Sequence, residues 1–206
     1  MLKRQLYIQL ISNCIIPILG FWLWNWSLYF ILLFYILDIL SSEIVHFLKV
    51  RKIKEIQETG LIAIPTRTYS IVSIMFLFLI ILEINTGMIL YHPTIDIKVE
   101  IWAFLSYVEM GIPQGIVLLP LIAMMTYTSY KVDFIVPKAY LYIQEKQSWK
   151  NHLKERFVLL SFCIILTLFA VSFNLKEWIV LVVILVFTTG YNYLQGIERI
   201  STYNNR

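Results

Sequence analysis

Charge is scarce in this chain. Charged residues make up 15% of its 206 positions, hydrophobic residues 59%, and the mean hydropathy is +0.75. A soluble domain carries about 25% charged and about 45–50% apolar residues. Roughly a third of the surface of a chain this long stays wet after folding. So much apolar surface cannot be hidden from water, which excludes a soluble globular domain. A disordered chain needs the opposite composition. Cysteine is nearly absent: Cys14 and Cys163 lie in separate apolar runs with no CxxC or metal spacing, which excludes a disulfide scaffold. Both are expected as small apolar side chains. There is no Gly-rich phosphate loop, zinc pattern or nucleic-acid motif. The start, Met1-Leu2-Lys3-Arg4, runs into an apolar stretch holding Gln9, Asn13 and Pro17, without the small-x-small site of a cleaved signal peptide.

What is present is a series of long apolar runs. A membrane helix needs about 20 mainly apolar residues. The chain is therefore expected to be all-α, an integral membrane helical bundle of six transmembrane helices in one polytopic domain. The spans fall at residues 6–24, 28–48, 69–90, 101–127, 157–173 and 178–194. The second is expected to continue as a helix towards Gly60. Residues 139–155 place Leu141, Ile143, Trp149 and Leu153 among Lys146, Lys150 and Lys154, and read as an amphipathic segment on the headgroups.

Charge selects the orientation. Only Lys98 and Lys176 fall on one face. The other fifteen of the 17 basic residues lie in the N-terminus, the loop after the second span, the loop after the fourth, and the tail. Basic loops mark the cytoplasmic side, so a multi-pass protein of the cell membrane with both termini in the cytoplasm is expected. The same loops suit anionic lipid better than nucleic acid.

Acids are the candidate chemistry. Asp38, Glu43, Glu83 and Glu109 lie within apolar runs, and no Lys or Arg lies within the expected spans. Intramembrane ionisable groups face the bundle interior or a wet cavity. At about 1.5 Å per residue, Asp38 sits roughly 15 Å below the outer surface, Glu83 about 10 Å and Glu109 about 12 Å. One acidic layer is the expectation, and it has two readings: acids that stay protonated and hydrogen-bond between helices, or a site that binds a proton or a cation. The stretch Glu109-Met110-Gly111-Ile112-Pro113-Gln114-Gly115 sets a helix breaker beside an acid, so the fourth helix is expected to be broken. That break is either a simple proline kink, satisfied by a neighbouring helix or water, or a site where Gln114 and freed carbonyls add oxygen ligands.

Glu43-Ile44-Val45-His46 puts a carboxyl and an imidazole on one helix face. A Glu43–His46 hydrogen bond is expected there, and the same pair is a candidate proton relay. A di-iron bundle uses that spacing twice and needs two further Glu residues, so no metal is expected, and no other cofactor. His92 and His152 are expected in loops, solvated, and Thr188, Thr189 and Asn192 form a polar face on the sixth helix.

Asn13-Cys14-Ile15-Ile16-Pro17-Ile18-Leu19-Gly20, Trp24-Asn25-Trp26-Ser27 and Leu32-Leu33-Phe34-Tyr35-Ile36-Leu37-Asp38 resemble the opening hairpin of an uncharacterised family of bacterial integral membrane proteins. The family pattern has Asn after the acid, where this chain has Ile39. The resemblance implies a membrane bundle and marks Asp38; it carries no activity. Three readings follow from the residues. The first is a proton- or cation-coupled transporter or channel-like protein. The second is a non-catalytic subunit of a larger membrane complex, whose partner (another protein or a second copy) neutralises the acids. The low glycine content, 7 residues, favours this second reading, since tight self-packing in membranes uses small residues. The third and least favoured is a membrane enzyme acting on lipid.

Overall fold

A computed structural model of the chain describes residues 14–57, 63–106, 120, 122–124, 126–128 and 130–204. Its α-helices are α1 (Cys14–Leu23), α2 (Leu28–Gln57), α3 (Ala63–Tyr91), α4 (Ile97–Ser106), α5 (Glu145–Ser172) and α6 (Glu177–Asn204). No strand appears among the described residues. Four helices are long and apolar enough to cross a membrane, over Leu28–Ile56, Arg67–Tyr91, Glu145–Ser172 and Glu177–Leu194. The expected first span is described only from Cys14 and the fourth only in part. The expected break at 111–115 lies outside the described residues.

Local chemistry explains the helix ends. Ser27 caps α2, its Oγ accepting the Phe30 amide at 3.1 Å. Asp96 caps α4, its Oδ1 accepting the amides of Lys98 at 3.0 Å and Val99 at 3.3 Å. Pro65 falls in the first turn of α3, where no intrahelical amide bond is needed. α5 ends where Asn174 turns left-handed (φ 45°) and the Leu175 amide reaches back to the Ala170 carbonyl at 3.1 Å.

The chain divides into two compact units. The first joins the N-terminal residues through Ile31 to the C-terminal residues from Phe169. There Gly20 lets Trp26 fold back over α1: a Cβ on Gly20 would run into the indole. The Trp26 amide donates to the Gly20 carbonyl at 3.0 Å, and its ring packs on Trp24 and Phe30. Cys14 Sγ and Thr189 Oγ1 meet at 2.8 Å, so part of the polar face expected on the last helix joins α1. Val180, Leu181, Ile184 and Leu185 are buried, one stripe of α6.

The second unit runs from Leu32 to Leu168. In α3, Ser73, Ile80, Ile84, Gly87 and Met88 are buried at helical spacing. Gly87 brings α3 against Thr167 of α5, whose Oγ1 would lie 2.6 Å from an added Cβ. Phe34 meets Phe104 of α4 edge-on at 5.2 Å. The opposite side of α3 exposes Ile71, Ile74, Met75, Phe78 and Leu82. The expected amphipathic segment and the fifth span run together in the structure, where α5 is one continuous helix from Glu145. That continuity brings His152 and Arg156 inside the unit.

Candidate functional site

Among the described residues, the polar residues buried in the second unit are Glu43 and His46 on α2, Ser73 on α3, and His152 and Arg156 on α5. Helical periodicity lines them up. Glu43 and His46 are three apart, and Trp149, His152 and Arg156 recur at three and four, so each set shares one face of its helix.

Glu43 is the hub, at 4% exposure. Ser73 Oγ donates to its Oε1. Arg156 donates Nε–H to Oε2 at 3.1 Å, and His152 Nε2 lies 2.8 Å from the same oxygen. An ionised carboxylate only accepts; beside a guanidinium Glu43 is ionised, so His152 donates through Nε2. Arg156 uses Nη2 on the Ile39 carbonyl and on Ser42 Oγ, each at 3.3 Å. Three helices are thus joined at one carboxylate.

The second imidazole is placed differently. His46 stacks on His152 with ring centroids 3.8 Å apart and planes within 4°. The ring of Trp149 meets it edge-on at 4.5 Å. His46 Nε2 and Trp149 Nε1 are both buried with no hydrogen-bond partner among the described residues. Glu43 with Arg156 is neutral overall, and a proton added to one imidazole makes the cluster +1. Protonating both rings at this separation adds repulsion of about 4 kcal/mol at an effective dielectric near 20. Charge on both rings at once is therefore disfavoured.

The structure departs from the sequence expectations in three places. The hydrogen bond expected between Glu43 and His46 is not made; Glu43 bonds His152, and His46 lies on that ring's face. His152, expected solvated in a loop, is buried at 5%. The acids were expected to lack a cation from their own chain, yet Arg156 pairs with Glu43. Arg156 stands one residue outside the apolar run at 157–173. The readable signal was the Trp149, His152, Arg156 spacing on a segment able to continue into that run.

The other acids stand apart. Asp38 is exposed on α2, within reach of the charge of Arg156. Glu83 is half-buried on α3, near Cys163 of α5. No hydrogen bond or ion pair joins these two acids among the described residues. Glu109 and Gln114 lie outside the described residues. No group of three His, Cys, Asp or Glu side chains placed to hold a metal occurs among the described residues. Comparison with known proteins finds no relative: no family model, no curated protein and no solved structure matches this chain.

Proposed function

We propose that this chain is a small polytopic membrane protein of the proton-coupled transporter or channel type, with both termini in the cytoplasm. Glu43, His152 and His46 hold and pass the proton, and Arg156 is the fixed counter-charge. One observation carries the reading: the buried stacked imidazole pair, one ring bonded to a carboxylate–guanidinium pair and the other with a buried nitrogen that lacks a partner among the described residues. An ionisable group kept inside an apolar helix set is expensive and marks a site by default. His46 lies one turn from Lys49, so the cluster faces the basic end of α2. The charge of Arg156 acts on Asp38 as well as on Glu43, which supports Asp38 as the next acceptor along α2. Glu83, Glu109 and Gln114 are the remaining groups of the pathway, for a proton or another cation.

Reconstitution into liposomes with an entrapped pH dye tests this. The wild-type chain should conduct protons above empty liposomes under an imposed pH gradient. His46→Gln should lower that flux roughly tenfold or more, with Asp38→Asn also impaired. Flux equal to empty liposomes sinks the proposal.

A second reading rests on Asp38 itself. An exposed carboxyl within an apolar helix calls for a basic side chain from a partner subunit or a second copy. Native gels of solubilised membranes distinguish it: a stoichiometric complex lost in Asp38→Asn supports the subunit reading.

A further inference from the structure

The segment leading into α5 is tightly wound. A π-helical turn, Lys131–Ile135, and a 3-10 turn, Ala139–Leu141, are separated by Lys138 in the left-handed region (φ 52°). Its inner side is anchored on the basic end of α2. Phe134 and Ala139 are buried with Ile53, Lys49 Nζ lies 5.9 Å over the Phe134 ring, and Lys54 Nζ stands 3.6 Å from the Glu145 carboxylate.

Its outer side is both apolar and basic. Val136 is 73% exposed, Tyr142 61% and Leu141 47%, while Lys131, Lys138 and Lys146 are exposed between and beside them. Height along α2 places this surface. Ile53 lies about 7 Å beyond Leu48, where the apolar run ends. The headgroup layer on each side of the hydrocarbon is about 5–7 Å thick.

We infer that residues 131–146 form a docking surface for anionic phospholipid headgroups, with Val136, Leu141 and Tyr142 at the acyl boundary and Lys131, Lys138 and Lys146 on the headgroup charges. The occupant follows from the chemistry and from continuity. A free phosphate would satisfy the lysines and leave the apolar side chains in water. The segment passes directly into α5, which crosses the membrane in the reading above, so the lipid surface is at hand whenever the chain is inserted. Apolar side chains interleaved with lysines suit an interface held by insertion and charge together. The inference rests on the membrane reading, not on proton handling.

The test uses the full chain with Cys14→Ser and Cys163→Ser, labelled with the NBD fluorophore at Val136→Cys. It is placed in lipid nanodiscs of phosphatidylcholine alone or mixed equally with phosphatidylglycerol. Brominated forms of each lipid then report which one lies beside the label. Brominated phosphatidylglycerol should quench in clear preference to brominated phosphatidylcholine. Replacing Lys131, Lys138 and Lys146 by Gln should reduce that preference about fivefold per lysine. Equal quenching by both lipids, or by neither, overturns the inference. So does an emission shift produced by inorganic phosphate in pure phosphatidylcholine discs without lipid preference. A chain that enters no disc fails the membrane reading itself, a separable outcome.

Discussion

At the scale of single residues, the decisive fact is that Glu43 has its cation. A buried carboxylate alone would be expelled or neutralised, and the pair with Arg156 keeps both charges inside. Such a pair adds little net stability, yet removing one partner leaves the other uncompensated, which costs about 3–5 kcal/mol. Arg156→Met should therefore lower stability by about that amount in detergent-titrated unfolding. Arg156→Lys should fall between, because a lysine gives one point contact and loses the fork to Ile39 and Ser42. The double variant Glu43→Gln/Arg156→Met should lose less than the sum of its singles. An Arg156→Met variant within about 1 kcal/mol of wild type would show that the pair does not hold α2 to α5.

At the scale of elements, close approach sets the tolerances. Trp26 is buried against Gly20, and its fused ring cannot rotate out of the way without opening the turn. Gly20→Ala should cost about 1–3 kcal/mol or more by overpacking. Gly87→Ala meets the branched end of Thr167, a smaller group with its own rotamers, and should cost less. Gly190 has nothing within 4 Å of an added Cβ, so Gly190→Ala should be neutral or stabilising by about 0.5–1 kcal/mol. Thermal unfolding of the three variants checks the order; Gly190→Ala as the worst would contradict it. The turns at 24–27 and 173–177 are legible in the sequence because Asn, Trp, Ser, Lys and Glu interrupt apolar runs there. The start of α5 is not legible, because Lys and Glu between Trp149 and Arg156 read as a wet surface until a partner helix covers one face of it.

At the scale of the whole molecule, polarity runs opposite to that of a soluble protein. Charged and hydroxyl groups at Glu43, Ser73, His152 and Arg156 are buried, while Phe78, Leu82, Phe169 and Val186 are exposed. In water that pattern leaves large apolar patches uncovered; in a bilayer, lipid covers them. Alkaline phosphatase fused after residue 95 should be active, and fused after residue 57 or 144 inactive, while a fluorescent protein at the C-terminus should mature in the cytoplasm. Active enzyme after residue 144 would reverse the orientation.

The sequence alone determines that this chain is helical and built of membrane-length apolar segments, because composition and run length act locally and need no partner. It also marks Glu43 and His46 as one helix face. Only tertiary structure decides which groups meet. The pairing of Glu43 with Arg156 and His152 joins residues more than a hundred positions apart. The stacking of His46 on His152 and the outward placement of Asp38 depend on how α2 and α5 are rotated against each other within the second unit. Spacing along one helix names a face; packing alone says what that face touches.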